Sequence, residues 1–213
     1  MNKNAQKHPF APVFDEKSKV LILGSFPSES SEEAGFYYGD TGNRFWNTLG
    51  EVFQTPNLAE KSKDEKKKFL KYNKIALWDI WAYCYKIPKD SPFDKDIQPN
   101  DSQPVDLTEL FEKVKIKKIF TTIGGSKHET SKSPGGLKFA EWKIEKWLWS
   151  GAKYGDKEYG GYAKYFRHCK TPSEMVTPLY STSPNSRRAK KTDEILLDDY
   201  RQIKDFLEKI RAI

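Results

Sequence analysis

The sequence has few cysteines and no long apolar segment. Only Cys84 and Cys169 occur among 213 residues, too few for a disulfide framework or for an iron–sulfur cluster held by four thiolates. No run of about 18 apolar residues exists, so we expect no transmembrane helix. Residues 1–14 also lack the apolar core of a signal peptide. These absences favour a reducing, cytoplasmic setting and no membrane partner.

The sequence also lacks the usual marks of metal and cofactor sites. Its three histidines, His8, His128 and His168, show no metal-ligand spacing, which argues against a catalytic zinc or a Cys–His nucleophile pair. Neither GxGxxG after a strand nor GxxxxGK[ST] is present. Residues 124–126 (GGS) would either cradle a phosphate or form a simple turn. We therefore expect no metal and no cofactor.

Aromatic residues and positive charge are what the sequence has in plenty. Aromatic side chains make up 14% of the chain, which argues against global disorder. The length predicts a single domain over residues 1–213, and we expect a monomer. The net charge of +7 favours a polyanionic partner such as nucleic acid, although solvated lysine-rich faces would give the same balance.

Short apolar runs alternate with amphipathic stretches along the chain. We predict strands at residues 19–26, 75–83, 118–123 and 175–181, and helices at residues 43–53, 60–73, 105–114, 137–149 and 192–211. This alternation predicts an α/β fold, a three-layer sandwich with a central four-stranded parallel sheet flanked by helices. Residues 150–167, rich in Gly, Tyr and Lys, match neither period and predict an insertion or an irregular hairpin.

Motifs follow the predicted strands at the ends where ligands bind in parallel α/β folds. The first strand runs into residues 24–28 (GSFPS). The other motifs are residues 37–39 (YYG), 43–46 (NRFW), 76–80 (ALWDI), 99–101 (PND) and 181–186 (STSPNS). In this order the set resembles the uracil-DNA glycosylase superfamily, and within it the hypoxanthine-DNA (deoxyinosine) glycosylase branch. The resemblance runs from about residue 19 to the last helix.

The resemblance implies a DNA repair enzyme whose partner is DNA containing a deaminated base. Such an enzyme flips the target nucleotide into a pocket at a cost of a few kcal/mol and hydrolyses its N-glycosidic bond. Hypoxanthine and uracil are the implied bases. No lysine lies in the matched motifs, so we expect a monofunctional glycosylase that leaves an abasic site without strand cleavage.

Asn43 is the candidate catalytic residue. Hydrolysis needs a group that orients water and groups that stabilise developing charge. Many relatives position the water with a carboxylate in the first motif, but the resemblance puts Phe26 at that place, and a phenyl ring cannot polarise water. It therefore implies that the Asn43 amide orients the water. Asn43 would alternatively cap the next helix, and both roles hold only if the amide is shared.

The resemblance also implies which residues hold the base: Gly24, Ser25, Phe26, Pro27, Ser28, Tyr38, Phe45 and Asp79. Tyr38 or Phe45 would stack on the base, whereas we expect Trp46 in the core. Asp79 stands where many relatives carry an asparagine that contacts the base edge. Its carboxylate would accept N1–H of hypoxanthine or N3–H of uracil and find no donor on adenine or cytosine. Alternatively, Asp79 caps a helix or pairs with a lysine.

The last motif resembles the loop that pinches the phosphodiester beside the lesion. The implied DNA-binding residues are Ser183, Pro184, Asn185, Ser186, Arg187 and Arg188. Two arginines beside a Ser-Pro turn suit phosphate or minor-groove contact, but a solvated basic turn has the same composition. Two other functions stay open: a non-catalytic nucleic-acid binding module, and a nucleoside or nucleotide hydrolase.

Overall fold

The computed structural model describes residues 3–89, 91, 94–98, 101–123, 144–154, 157–184 and 192–212. In chain order the strands are β1 Gln6–Lys7, β2 Val20–Gly24, β3 Ile75–Asp79, β4 Trp81–Cys84, β5 Gln103–Pro104, β6 Lys118–Thr121, β7 Ala152–Tyr154, β8 Lys157–Tyr159 and β9 Val176–Pro178. The helices are α1 Glu29–Glu33, α2 Phe45–Val52, α3 Lys63–Tyr72, α4 Thr108–Lys113, α5 Ile144–Ser150, α6 Pro172–Met175 and α7 Asp193–Lys209.

A four-stranded parallel sheet in the order β3-β2-β6-β9 forms the centre of the fold. Every residue of β2 is buried, and its side chains alternate between two apolar clusters. Leu21 and Leu23 pack with α4 and α5, while Val20 and Ile22 pack with α2, α3 and α7. A parallel sheet covered on both faces needs such a continuous apolar run. The predicted three-layer α/β architecture is confirmed.

The strand predicted for residues 75–83 is confirmed over Ile75–Asp79 but does not continue, because two strands in different sheets occupy this stretch. β3 ends at Asp79, where the Ile80 N–H donates to the Gly24 carbonyl at 3.0 Å and the Trp81 N–H donates to the Ser25 carbonyl at 3.2 Å. The chain then turns into β4, which pairs antiparallel with β1 and β5. The apolar pattern carries no signal for this bend, since backbone carbonyls at the end of β2 cause it.

Capping residues place the helix ends inside the predicted ranges. At the start of α3, the Ser62 hydroxyl accepts from the Glu65 N–H and the Glu65 carboxylate accepts from the Ser62 N–H, a complete capping box. The Thr192 hydroxyl accepts from Ile195 N–H at the start of α7. The buried face of α7 consists of Leu196, Asp199, Tyr200, Ile203 and Leu207, so an amphipathic C-terminal helix is confirmed.

Residues 150–167 form a hairpin followed by a segment that packs into the core. β7 and β8 pair antiparallel, as one of the two predictions for this stretch had it. Tyr162 then lies 2% exposed beside Phe111, and its hydroxyl accepts a hydrogen bond from the Leu107 N–H at 2.9 Å. Burial raises the pKa of Tyr162 to about 12. The second half of this stretch is therefore part of the domain core.

Some predictions concern residues outside the described ranges. These are the turn at residues 124–126, the first part of the helix predicted for residues 137–149, and residues 99–100 of the PND motif. Among the described residues, no helix is both long and apolar enough to cross a membrane.

Candidate active site

A pocket opens at the carboxyl ends of β2 and β3, where the predicted parallel sheet places ligands. It brings together most of the residues implied by the sequence: Ser25, Phe26, Pro27, Ser28, Tyr38, Asn43, Asp79 and Ser183. Gly24 lies directly under this group at the end of β2 and is paired in register with Asp79 of β3. The motifs that are far apart in the sequence therefore meet at one edge of the sheet.

Gly24 allows the Asp79 carboxylate to lie over the end of β2. A Cβ atom at position 24 would overlap Asp79 Oδ1 and would lie 2.7 Å from the Tyr38 hydroxyl oxygen. Only a residue without a side chain permits this close approach. Asp79 Oδ1 and the Tyr38 hydroxyl are thus neighbours above the same glycine.

Asp79 is buried and hydrogen-bonded to His8. The distance from Asp79 Oδ2 to His8 Nε2 is 3.0 Å, and the two side chains are 6% and 5% exposed. The sequence left a helix cap or a lysine pair as alternatives to base contact, and the partner is neither. His8 belongs to the N-terminal segment, and its place in the site was not predicted, because the histidines were considered only as metal ligands or as partners of a nucleophilic cysteine.

Tyr38 forms one wall of the pocket in a constrained conformation. Its φ is 53°, a left-handed backbone that non-glycine residues rarely adopt and that is enriched at functional sites. Its hydroxyl hydrogen-bonds with Thr122 Oγ1 at 2.8 Å. Burial, and next the negative charge of Asp79, raise the pKa of Tyr38, so the phenol stays protonated at neutral pH.

Phe45 lies behind Tyr38 and outside the pocket. The two rings stack with their centroids 3.8 Å apart and 13° between their planes, and Phe45 is fully buried. Of the two candidates for stacking on a flipped base, the structure therefore places Tyr38 on the pocket wall and Phe45 in the core. Trp46 is also a core residue, as expected: it is 2% exposed, and its Nε1–H donates to the Tyr37 carbonyl at 2.8 Å.

Asn43 lines the pocket and also organises the backbone beside it. Its Oδ1 accepts the Phe45 N–H at 3.0 Å and the Thr182 hydroxyl at 2.8 Å. Phe45 N–H can only donate, which identifies the accepting atom as oxygen. The amide nitrogen Nδ2 is the other end of the same group and can only donate. Asn43 therefore supports the start of α2 through its oxygen.

The last motif packs against the Asn43 segment. The Arg44 N–H donates to the Thr182 carbonyl at 3.3 Å, and a Cβ at Gly42 would meet Pro184 Cγ at 3.2 Å. Ser183 and Pro184 thus lie at the mouth of the site. Asn185, Ser186, Arg187 and Arg188 lie outside the described residues.

Lys86 and Asp94 also line the pocket and were missed by the sequence analysis. Lys86 is 8% exposed, and its Nζ donates to the Ser91 carbonyl at 3.1 Å. Burial raises the pKa of Asp94, and the nearby Lys86 charge and Ser25 hydroxyl partly offset this effect. Both residues follow β4, and no motif in the sequence marks either of them. Among the described residues, no three His, Cys, Asp or Glu side chains cluster as metal ligands.

Comparisons with known proteins show the family to which this chain is similar. The family profile described as "Uracil DNA glycosylase superfamily" matches residues 11–209. A protein from Methanosarcina acetivorans named hypoxanthine DNA glycosylase is 43% identical over 75 residues, which is 35% of this chain and 47% of that protein. A protein of the same name from Methanosarcina barkeri is 41% identical over 76 residues, 36% of this chain and 48% of that protein.

The matched region therefore spans about half the length of these curated relatives. A solution NMR structure of a candidate uracil DNA glycosylase from Methanosarcina acetivorans covers 93% of this chain and 98% of its own, with a TM-score of 0.56 and 26% identity. Since the family profile spans nearly the whole sequence, the chain belongs to the uracil DNA glycosylase superfamily.

Proposed function

We propose that the protein is a monofunctional DNA N-glycosylase that removes a deaminated base, hypoxanthine above all, and leaves an abasic site. The observation that carries this proposal is the pocket at the strand ends, in which a buried carboxylate and an amide, Asp79 and Asn43, line the same cavity. Family membership and the names of the two curated relatives support the same substrate class.

Asp79 would select the base by accepting a hydrogen bond. His8 engages Oδ2, which leaves Oδ1 to accept N1–H of hypoxanthine or N3–H of uracil. Adenine and cytosine carry acceptors at these ring positions, so a buried carboxylate would face them without a donor. An unsatisfied buried polar group of this kind costs ~1–3 kcal/mol, which favours the deaminated base.

Asn43 would orient the attacking water. Phe26 cannot polarise water, and the Asn43 Nδ2 is a donor on the lining of the same pocket. The water oxygen then attacks C1′ of the sugar, the N-glycosidic electron pair leaves with the base, and a proton of the water ends on the released base or in solvent.

Among the described lysines, Lys86 lines the pocket, so its contacts bear on whether the protein could cleave the strand. A lyase reaction needs an amine that attacks C1′ and forms a Schiff base. The Lys86 ammonium instead donates to a backbone carbonyl and lies beside Asp94. We therefore propose that Lys86 does not form a covalent intermediate and that the product is an intact strand carrying an abasic site.

One panel tests this function. Duplex and single-stranded oligonucleotides with hypoxanthine, uracil, xanthine or only normal bases are incubated with the protein, and half of each sample is treated with alkali. We expect cleavage only after alkali, with hypoxanthine the best substrate, and no protein–DNA adduct after borohydride. Strand cleavage without alkali, or a borohydride adduct, would contradict the monofunctional mechanism. No cleavage on any lesion would favour a non-catalytic binding module.

Salt dependence separates the proposed function from a nucleoside hydrolase. A protein that contacts several phosphates loses affinity steeply between ~50 and ~200 mM salt, because counterions are no longer released as favourably. We expect excision from DNA under subsaturating conditions to fall over this range. Hydrolysis of free deoxyinosine that is faster than excision from DNA and unaffected by salt would indicate a small-molecule enzyme.

A further inference from the structure

The N-terminal segment is fastened across the edge of the sheet next to the pocket. β1 pairs antiparallel with β4, and the His8 N–H donates to the Ala82 carbonyl at 2.8 Å. Further along, Val13 and Leu77 exchange two backbone hydrogen bonds of 2.9 and 2.8 Å. The backbone on both sides of His8 is therefore fixed by strands that also define the site.

The imidazole of His8 is enclosed by aromatic rings. Its centroid lies 5.9 Å from Phe10, 5.6 Å from Phe26 and 5.7 Å from Tyr37. These rings leave the Asp79–His8 pair almost without solvent contact. Hydrogen bonds to charged groups are among the stronger ones in proteins, and they are costly to break when the partner stays buried.

The direction of the hydrogen bond follows from the partners. An ionised Asp79 carboxylate can only accept, so His8 Nε2 carries the proton that lies between them at 3.0 Å. On the other side of the ring, Nδ1 lies 2.9 Å from the Phe10 carbonyl oxygen and 3.1 Å from the Phe10 nitrogen. The contact with Asp79 requires a proton on Nε2, whichever of these Phe10 atoms bonds to Nδ1.

We propose that His8 is a positioning residue that holds Asp79 in the orientation needed to recognise the base. Resting on the proposed glycosylase function, this inference adds a residue outside the matched family region, which begins at residue 11. His8 occupies one carboxylate oxygen of Asp79, and the other oxygen lies over Gly24 beside the Tyr38 hydroxyl. Asp79 is thereby kept as a hydrogen-bond acceptor toward the pocket.

The test replaces the His8 ring by one side chain that lacks a hydrogen-bond donor and by another that keeps one. His8→Phe keeps an aromatic ring but removes Nε2–H, while His8→Gln offers an amide N–H near the position of Nε2. His168→Phe is the matched control, because His168 is exposed and its Nε2 bonds only to the Lys117 carbonyl among the described contacts. For each protein, kcat/KM on hypoxanthine DNA is measured together with the affinity ratio for hypoxanthine-containing over adenine-containing duplexes.

We expect His8→Phe to lower kcat/KM and the affinity ratio by about 10-fold or more, as for the loss of a hydrogen bond to a charged group. His8→Gln should restore most of both, and His168→Phe should change neither. An active wild-type protein whose affinity ratio is unchanged by His8→Phe would overturn this inference alone. A wild-type protein inactive on every lesion would overturn the proposed function and this inference with it.

NMR of the histidine ring nitrogens gives a readout that does not depend on activity. We expect one histidine in the wild-type protein to show a protonated Nε2, in a signal that is absent from the His8→Phe spectrum and clearly shifted by Asp79→Asn. A His8 signal that ignores Asp79→Asn would overturn the positioning role even if the enzyme is active. The same spectra show whether His8→Phe is folded, since the His168 signal should stay in place.

Discussion

At the scale of single residues, Asn43 has an observed structural role and a proposed chemical one. A helix cap and a catalytic amide were alternatives in the sequence, and they would coexist only if the group was shared. The oxygen of Asn43 accepts hydrogen bonds from Phe45 N–H and the Thr182 hydroxyl, so the oxygen has a structural role. The proposed catalytic role therefore rests on the nitrogen alone.

Replacing Asn43 distinguishes a catalytic from a structural role by the size of its effects on excision rate and on stability. Asn43→Ala should reduce single-turnover excision of hypoxanthine by ~10²–10³, as expected for a positioned group that acts in the transition state. Loss of the accepted backbone bond should lower the unfolding free energy by only ~1 kcal/mol. Excision, DNA affinity and thermal melting are measured on the same preparation.

Asn47→Ala is the matched control, because Asn47 lies exposed on α2. It should leave excision unchanged. Near-normal excision by Asn43→Ala with only a lowered melting temperature would assign Asn43 to the helix start and remove it from the mechanism.

Asp94 gives a prediction about stability and pH. Burial raises its pKa above the ordinary value of 3.8, so the folded protein holds this proton to a higher pH than the unfolded chain does. The stability that Asp94 contributes is therefore fully present at pH values below its ordinary pKa and is lost as the pH rises through its raised pKa. Asp94→Asn, which carries no charge, should melt at a higher temperature than the wild type at pH 7.

Melting the same two proteins at acidic pH tests the predicted direction of the pH dependence. The difference in melting temperature between Asp94→Asn and the wild type should shrink as the pH falls toward the ordinary value. Asp205→Asn on the exposed face of α7 serves as the control for removing one negative charge. A lower melting temperature for Asp94→Asn at pH 7 would mean that its interaction with Lys86 outweighs the cost of burial.

At the scale of elements, the long periodic segments could be predicted and the short pairings could not. α7 and β2 follow directly from the spacing of their apolar residues. β1 and β5 are two residues each and exist because β4 offers them partners, which no local pattern encodes. The split of residues 75–83 has the same origin, and so does the burial of His8, because both depend on contacts between distant parts of the chain.

The register of β2 and β3 also gives a prediction, since it brings Gly24 and Asp79 side by side. Gly24→Ala should push the Asp79 carboxylate away from its place, because the new Cβ would overlap Oδ1. We expect the variant to lose excision and stability while β2, whose other residues are all buried, keeps its place in the sheet.

A double-mutant cycle isolates this overlap. Asp79→Ala removes the atom that would clash, so Gly24→Ala should destabilise the protein less in the Asp79→Ala background than in the wild type. Urea titrations give the change in unfolding free energy that Gly24→Ala causes in each background. These two changes should differ by ~0.5–3 kcal/mol, the usual range for residues in contact. Simple additivity would mean that the cost of Gly24→Ala comes from the backbone or from Tyr38.

At the scale of the whole molecule, the proposed function requires a pocket for one base to be joined to a surface that holds a polyanion. The two apolar clusters fix the sheet from both faces and leave its carboxyl edge for the site. The net charge of +7 supplies attraction to phosphates without sequence information. Ser183 and Pro184 lie at the mouth of the pocket, so the basic residues that follow them in the sequence are the natural candidates for DNA contact.

Arg187 and Arg188 provide the test of this surface. Side chains that bind phosphates strengthen binding to every sequence alike, and removing one of them lowers the slope of log affinity against log salt by about one unit. The double variant Arg187→Ala/Arg188→Ala should therefore bind undamaged and hypoxanthine-containing duplexes more weakly by the same factor, with a shallower salt dependence. Lys63→Ala/Lys68→Ala removes the same charge from exposed positions on α3 and should have a much smaller effect. Weakening confined to one lesion would mean that the arginines contact bases, and equal weakening by both double variants would mean that net charge alone attracts the DNA.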